Sequence, residues 1–271
     1  MSSSNNTVRA SSTGVDATTC EPLALGAIEP EHPLAPLAAP VVAALSGKDF
    51  PCTFVGLALT QGYLRFAHID PSDPEYVAEA HRYISQYLRG VRGAAKCSQR
   101  VAVSIVLLLD IEVPADITAE GVRDIAWTLL AELHFYDRAV GNAWPMEVPM
   151  DMTDSRWAYC LEGTQLFINI TSSTLALRRS RNLGRRLVMV IQPTDGLHYI
   201  APMNAKGDKI RETIRCRIDS YDGLMRSPTL ANFGDKGNRD ANQFFLEDTN
   251  APCVFAPPQI PAVVELFTEE A

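Results

Sequence analysis

The longest apolar stretch of this 271-residue chain is VAVSIVLLL, from Val101 to Leu109, and Asp110 follows it directly. A run of aliphatic and β-branched residues without polar alternation predicts a β-strand that is buried on both faces. The run is far shorter than the roughly 20 apolar residues that cross a bilayer. The N-terminus also lacks the apolar core of a signal peptide. We therefore expect a cytoplasmic protein that makes no contact with a membrane.

Helix signals lie on both sides of this strand. Asp73–Pro74 predicts the start of one helix, whose apolar positions recur on one face until Gly90. Thr118 predicts the N-cap of a second helix, which ends at Gly141–Asn142. A third helix is predicted from about Lys209 to Asp222.

Strand signals occur before and after these helices. Residues Thr53–Leu59 and Tyr63–Ile69, separated by a Thr-Gln-Gly turn signal, predict a β-hairpin. Three later strand candidates are Trp157–Leu161, Gln165–Ile170 and Arg186–Ile191. The pattern predicts a single α+β domain with a mixed, mainly antiparallel sheet packed with helices. We expect residues 1–21, which are rich in Ser and Thr, to be a disordered tail and residues 22–271 to form the domain.

The charge balance argues against nucleic acid as a partner. Acidic residues outnumber basic residues by 32 to 24, for a net charge of −8, whereas phosphate neutralisation requires the opposite balance. The six cysteines and five histidines are scattered, without a C-x-x-C pair or a His/Cys cluster. This spacing favours free thiols over disulfides or a structural zinc site.

Standard motifs for phosphate binding and hydrolysis are missing from the sequence. It contains no G-x-G-x-x-G, no G-x-x-x-x-G-K-[ST], no G-x-S-x-G and no H-E-x-x-H. Most nucleotide-dependent and serine-hydrolase functions therefore lose support, and periodicity alone leaves an α+β domain without a function.

Longer blocks follow one another through the C-terminal half. They are Trp127-x-x-Leu130-x-x-Leu133-His134-x-x-Asp137, Trp144-Pro145-x-x-Val148-Pro149-x-Asp151, Trp157-x-x-Cys160-x-x-Gly163, Arg178-x-Ser180-Arg181, Gln192-Pro193, Ile214-Arg215-x-Arg217-Ile218-x-x-Tyr221-Asp222, Pro228-x-Leu230, Phe233-Gly234-Asp235 and Asn238-Arg239-x-x-x-Gln243-Phe244-Phe245-Leu246-x-Asp248-x-Asn250. Together with Phe50-Pro51-Cys52, these blocks closely resemble the YqcI/YcgG family over residues 50–250.

That resemblance implies a function. Characterised members of the family include haem-dependent N-hydroxylases of guanidine compounds. The resemblance therefore implies a haem domain with monooxygenase activity that binds haem b, and with it iron, and forms Nω-hydroxy-L-arginine in antibiotic or other secondary-metabolite biosynthesis. The expected partners are L-arginine or a related guanidine, O₂ or peroxide, and an electron-donor protein.

Haem iron needs a neutral imidazole or a thiolate and a group that fixes this ligand. His134 fits best, because helical spacing places it on one face with Trp127 and Leu130, and Asp137 lies one turn further. Asp137 would accept a hydrogen bond from the imidazole or hold a substrate guanidinium. Alternatively, His134 is a core histidine bonded to Asp137 with no further role. The other candidate iron ligands are Cys52, at the mouth of a predicted strand in a family block, and His68 and His198.

Arginines in the family blocks are candidates for binding the haem propionates and the carboxylate of the substrate, since guanidinium groups bind carboxylates bidentately. They are Arg178, Arg181, Arg215 and Arg217. Each has the alternative of a solvated or salt-bridged role. Because a helix points residues two positions apart in different directions, Arg215 and Arg217 are not expected to serve one site.

Asn238 and Gln243 belong to a polar C-terminal patch and are predicted catalytic residues that close over the haem and select the guanidinium. Ordering of loops through side-chain hydrogen bonds is their structural alternative. Two other functions remain open at this point. One is a non-oxidative small-molecule-binding or stress-response protein, and the other is a Cys52-dependent hydrolase or amidotransferase, which needs a His and an acid within reach.

Overall fold

A six-stranded sheet runs through the structure, a computed structural model that describes residues 21–52 and 54–251. Its strands are β1 (Leu23–Ala24), β2 (Leu64–Ile69), β3 (Val106–Ile111), β4 (Tyr159–Leu161), β5 (Thr164–Thr171) and β6 (Val188–Pro193). Across the sheet they lie in the order β1-β2-β3-β6-β5-β4. Of the five neighbouring pairs, β2 and β3 are parallel and the other four are antiparallel. The predicted mixed, mainly antiparallel sheet is confirmed.

The helices complete a single α+β domain, as predicted. They are α1 (Ala35–Leu45), α2 (Val55–Thr60), α3 (Tyr76–Cys97), α4 (Gln99–Ala102), α5 (Ala119–Ala139), α6 (Thr194–Ile200), α7 (Ala205–Tyr221) and α8 (Ala241–Phe244). Short 3-10 turns lie at Leu25–Ala27 and Arg179–Arg181. Among the described helices, none has the length and apolar composition that a membrane span requires.

The apolar stretch that was predicted as a buried strand contributes to two hydrophobic cores. Leu107 and Leu109 pack with α3 and α5 on one face of the sheet, whereas Leu108 packs with residues of α1 and α2 on the other. Both faces of β3 are therefore buried, as the absence of polar alternation predicts. The first residues of the stretch, up to Ala102, belong to α4 instead, so the strand begins later than the apolar run.

The predicted hairpin at residues 53–69 is wrong. Val55–Thr60 forms α2, and β2 pairs antiparallel with β1 and parallel with β3, to which α3 connects it. The turn at Gly62, which has a φ of +66°, separates a helix from a strand rather than two strands. A short apolar run has the same pattern in a strand and in a helix, which explains the error.

The predicted ends of α5 are confirmed, whereas α3 runs to Cys97, seven residues beyond the end predicted at Gly90. Thr118 Oγ1 accepts a hydrogen bond of 3.1 Å from the Gly121 amide and caps α5, which ends before Gly141 at a φ of +95°. Asp73 is not the N-cap of α3, because its carboxylate accepts from the Glu75 amide in the turn before the helix. The helix predicted from Lys209 begins earlier, where Asn204 caps α7. The predicted tail lies outside the described residues except for Glu21, as do Thr53 of the predicted hairpin and residues 252–271 of the predicted domain.

Candidate functional site

A cavity of about 890 Å³ lies on the face of the sheet opposite α3 and α5. Its floor is made by side chains that alternate along the strands with those of the filled core. Leu108 lines the cavity, whereas Leu107 and Leu109 face α3 and α5; Asn169 of β5 lines it, whereas Ile168 and Ile170 do not. The volume lies within the roughly 300–1,000 Å³ that small-molecule sites occupy. The face of the sheet that α3 and α5 cover, here called the filled face, is therefore packed with side chains. The opposite face, here called the open face, leaves room for a ligand.

The walls of the cavity are largely apolar. They come from the segment around Phe50 and from α2, α6 and α7. Apolar side chains in this lining include Phe54, Val55, Leu197, Ile214, Ile218 and Phe233. Such walls exclude water and strengthen the electrostatic interactions of any polar group that faces the interior.

The charges that line the cavity are mostly positive, although the chain as a whole carries −8. The lining includes five cationic side chains, Arg100, Arg181, Lys206, Arg211 and Arg215. Asp240 is the one carboxylate among the described lining residues. An anionic group of a ligand would therefore find cationic partners here, and a cationic group would find one carboxylate.

Asp240 lies just before α8 and is only 4% exposed. No hydrogen bond or ion pair joins its carboxylate to another side chain within the described part of the chain, and burial raises its pKa to about 7. Gln243, equally buried, also lines the cavity, and its Nε2 donates to Asn238 Oδ1 over 2.9 Å. Asn238 Nδ2 is buried and has no partner among the residues that the structure describes. The two predicted residues Asn238 and Gln243 are therefore brought together, next to a carboxylate that the sequence did not single out.

His198 of α6 lines the cavity and is half-buried, with its ring centroid 5.6 Å from that of Phe233. Burial lowers its pKa, and the nearby Arg211 lowers it further while Asp195 opposes the shift. The imidazole is therefore neutral at pH 7, which is the form that binds a metal ion. Among the four predicted iron ligands, His198 and Cys52 line the cavity.

Cys52 is exposed at the cavity wall. Desolvation by the surrounding protein raises the pKa of its thiol and outweighs the lowering by the Phe54 and Val55 amides and by Arg217. The thiolate, which is the reactive and metal-binding form, is thereby disfavoured at neutral pH.

Arg211 and Arg215 lie one turn apart on α7 and both line the cavity. Arg211 donates from its terminal nitrogens to the carbonyls of Ala201 and Pro202 and to the carboxylate of Asp208, but its buried Nε has no partner within the described residues. Arg215 donates to Asn232 Oδ1, and burial lowers its pKa. Arg211 was not among the sequence candidates.

The other three predicted arginines donate to backbone carbonyls, and Arg178 donates to the side-chain oxygen of Asn250 as well. Arg217 donates to the carbonyls of Phe50 and Pro51 and does not line the cavity, so it and Arg215 lie in different places. Arg178 is 1% exposed and holds the segment 247–250. Arg181 donates to the carbonyls of Gln243 and Phe244 over 3.1 Å each, and burial lowers its pKa to about 10. It lines the cavity and fixes the end of α8.

His134 and Asp137 lie on α5, on the filled side of the sheet and outside the cavity lining. Asp137 does not serve as the expected partner of His134. Its carboxylate accepts hydrogen bonds from His81 Nε2 at 2.7 Å, Asn142 Nδ2 at 2.7 Å and the Glu162 amide. His134 is 2% exposed, its Nε2 has no partner in the described part of the chain, and burial lowers its pKa.

His68 also lies outside the cavity lining. Its Nδ1 is 2.8 Å from a carboxylate oxygen of Asp110, which is fully buried and also paired with Arg185. The described residues contain no group of three or more His, Cys, Asp or Glu side chains that could hold a metal ion. An iron held in a porphyrin is a different case, because it needs only one or two protein ligands.

Neither Asp240 nor Arg211 is predicted as a site residue from the sequence, and the reason is the same for both. Asp240 follows Arg239 in a polar segment, and Arg211 follows Ile210 on a helix with exposed neighbours, so each reads as an ordinary solvated charge. The sole signal for Asp240 is its place between Asn238 and Gln243 in a family block. Their burial against the cavity arises from tertiary contacts that local patterns do not encode.

Comparisons with known proteins agree with the sequence blocks. A profile of the YqcI/YcgG family matches residues 41–258. The chain is 29% identical over 210 residues to a Streptomyces lavendulae protein named "Putative N(omega)-hydroxy-L-arginine synthase DcsA", covering 78% of this chain and 77% of that one. It is 26% identical over 202 residues to the uncharacterized protein YqcI of Bacillus subtilis (strain 168), covering 74% and 77% of the two chains. It is 28% identical over 204 residues to the uncharacterized protein YcgG of the same organism, covering 73% and 76%. No solved structure matches the chain.

Proposed function

The chain belongs to the YqcI/YcgG family, and we propose that it is a haem-dependent monooxygenase that hydroxylates a guanidino nitrogen of L-arginine. The observation that carries the proposal is the cavity on the open face of the sheet, which combines apolar walls, a neutral imidazole, several arginines and one unpaired carboxylate. L-arginine carries both a carboxylate and a guanidinium, so it complements this unequal distribution of charge. The name of the Streptomyces relative supports the same substrate.

The residues around the cavity fit a haem. Apolar side chains from the sheet and from α7 suit the macrocycle, and His198 offers a neutral imidazole to the iron. The buried Nε of Arg211 is a hydrogen-bond donor without an acceptor among the described residues. Arg215 lies one turn further along the same face of α7. These two guanidinium groups would hold the propionates, as carboxylates and arginine forks match in geometry. A bound haem would supply activation of O₂ or peroxide, which no protein side chain provides.

The overall reaction fixes what else is required. With peroxide as the oxidant, one oxygen atom converts a guanidino N–H to N–OH and the other leaves as water. With O₂, the same transfer needs two electrons and two protons, which an electron-donor protein would deliver. The chain's own residues would bind the substrate, orient its guanidino group and exclude water through the apolar walls.

The first experiment is the absorption spectrum of the purified protein, made with an adequate haem supply and recorded with and without dithionite and CO. We expect a Soret band that shifts with CO and that is lost or changed in His198→Ala. His134→Ala is the matched control, since it removes a buried histidine from the filled face, and it should keep the band. Mass spectrometry of the reaction with L-arginine should then detect a product that is heavier by one oxygen atom.

Each opposite outcome has a clear meaning. The absence of a Soret band after reconstitution with haem would overturn the proposal and leave a non-oxidative binding protein. A band that survives His198→Ala but not His134→Ala would keep the haem and move it to the filled face. A hydrolase that uses Cys52 has less support, because the raised pKa of that thiol works against the nucleophilic thiolate.

A further inference from the structure

We infer that Asp240 and Gln243 form the subsite that binds the guanidinium group of the substrate. The inference rests on the proposed function for the identity of the substrate class. It adds the residues that would distinguish a guanidinium from an uncharged group of the same shape.

The environment of Asp240 is unusual for a carboxylate. It is 4% exposed, it lines the cavity, and the described residues contain no donor or cation paired with it. Burying a carboxylate without a partner costs several kcal/mol, so buried charges in proteins are normally paired. Because this carboxylate faces an open volume, a ligand can supply the missing partner, and the chemistry calls for a cation with N–H donors.

Gln243 adds a second acceptor at the same place. Asp240 has helical backbone angles, and the Gln243 amide donates to the Asp240 carbonyl, so the two side chains are neighbours three residues apart on one turn. The side-chain nitrogen Nε2 of Gln243 donates to Asn238 Oδ1. The side-chain oxygen Oε1 of Gln243 therefore remains to accept a hydrogen bond from a ligand. A carboxylate and an amide oxygen side by side match the planar array of donors on a guanidinium.

Arg181 is the positioning residue of this subsite. Its guanidinium donates to the carbonyls of Gln243 and Phe244 at the end of α8, and it is itself buried. These bonds hold the turn that carries both acceptors against the sheet. Arg181 therefore acts through Gln243 and not on the ligand.

The arrangement predicts a specific preference. L-citrulline has the length of L-arginine but ends in a neutral urea, whose oxygen would face the Asp240 carboxylate. With L-citrulline bound, the Asp240 carboxylate would remain unpaired and would lie next to a second hydrogen-bond acceptor. Both effects weaken the binding of L-citrulline relative to L-arginine. L-lysine would satisfy the charge but not the forked geometry.

The test is calorimetric binding of L-arginine and L-citrulline to the purified protein and to Asp240→Asn, which keeps the shape and removes the charge. We expect Asp240→Asn to weaken L-arginine binding by about 10- to 100-fold and to leave L-citrulline binding unchanged or improved. In the active enzyme the KM for L-arginine should rise by a similar factor, with a smaller change in kcat. Asp116→Asn, which alters an exposed carboxylate outside the cavity, is the control and should bind L-arginine as the wild type does.

A pH profile separates ligand binding from a merely structural role. L-arginine affinity of the wild type should fall as the pH decreases through about 7, where the Asp240 carboxyl takes up a proton. His198 also faces the cavity, but its lowered pKa places its titration at more acidic pH. Asp240→Asn should lose the dependence near pH 7. Gln243→Leu should keep that dependence and weaken binding by a smaller factor.

The failures of the two proposals are distinguishable. L-arginine binding that depends on Asp240, in a protein without haem, would sustain the subsite and overturn the proposed monooxygenase. Hydroxylation of L-arginine with an unchanged KM and pH profile in Asp240→Asn would sustain the monooxygenase and overturn the subsite. Failure of the wild type to bind L-arginine would overturn the subsite directly.

Discussion

Two buried carboxylates, one beside the filled core and one at the cavity, have opposite hydrogen-bonding environments. On the face covered by α3 and α5, Asp137 is buried and accepts hydrogen bonds from three donors. On the open face, Asp240 is equally buried but lacks a partner in the described residues, as do Arg211 Nε and Thr194 Oγ1. A satisfied buried carboxylate stabilises its surroundings, whereas an unsatisfied one costs stability until a ligand arrives. The difference fits a structural role for Asp137 and supports the proposal that Asp240 binds a ligand.

Truncation of a large side chain should destabilise the protein far more on the filled face than at the wall of the cavity. Trp127 is 1% exposed and stacks on Phe244 with ring centroids 5.5 Å apart, so Trp127→Ala should reduce the free energy of unfolding by about 3–5 kcal/mol. Phe233→Ala, at the half-buried wall of the cavity, should cost only about 1 kcal/mol, the typical loss for a substitution outside the core. Urea denaturation of both variants measures the difference. Equal losses would mean that the cavity wall is packed as tightly as the core.

Replacing the unpaired carboxylate of Asp240 by a neutral amide should stabilise the fold, whereas most substitutions of buried polar residues destabilise it. Burial raises the pKa of Asp240 from 3.8 to about 7, so the folded protein holds this proton more tightly than the unfolded chain. The resulting penalty is absent below about pH 4, grows as the pH rises towards 7, and is complete above 7. Asp240→Asn should therefore be more stable than the wild type at pH 8, by up to about 4 kcal/mol. The two proteins should unfold alike near pH 4.

Denaturation curves at the two pH values provide the check. A variant that is less stable than the wild type at pH 8 would show that Asp240 has a stabilising partner in the folded protein. A gain in stability together with weaker L-arginine binding would be the signature of a group retained for function at a cost to the fold.

Asp137 should behave in the opposite way. Asp137→Ala leaves the donors of His81, Asn142 and the Glu162 amide without their acceptor, which should cost about 2–3 kcal/mol of unfolding free energy. Urea denaturation gives the loss, and the Soret band and KM of the surviving folded fraction should match those of the wild type. Normal stability of Asp137→Asn combined with lost turnover would instead support the catalytic role that the sequence suggested.

Local sequence signals were sufficient for much of the fold. Thr118 and Gly141 mark the limits of α5 because capping and left-handed turns depend on neighbouring residues alone. The segment Val55–Thr60 was misassigned because a helix and a strand share its short apolar pattern. Its partners lie far along the chain, and only tertiary packing separates the two structures.

The site was harder to predict than the fold. His134 and His198 are both isolated histidines near apolar residues, and which one faces the cavity depends on how the helices sit on the sheet. Asn238 and Gln243 were found because they stand in a family block, and Asp240 was missed within the same block. A buried carboxylate and an exposed one look the same in a sequence, so the decisive property was burial.

The smallest effect is expected at Cys52, the remaining cavity residue with its own chemistry. The raised pKa of its thiol keeps the reactive thiolate scarce at neutral pH. Cys52→Ala should therefore retain turnover within about twofold, and alkylation of Cys52 by iodoacetamide should be slow at pH 7 and accelerate only above its usual pKa of about 8.5. Peptide mass spectrometry can follow Cys52 separately from the exposed Cys97 and Cys216. A haem site with His198 as its ligand does not need this thiol. If alkylation at pH 7 is rapid and abolishes turnover, and if Cys52→Ala is inactive, Cys52 would instead be a catalytic nucleophile at the cavity.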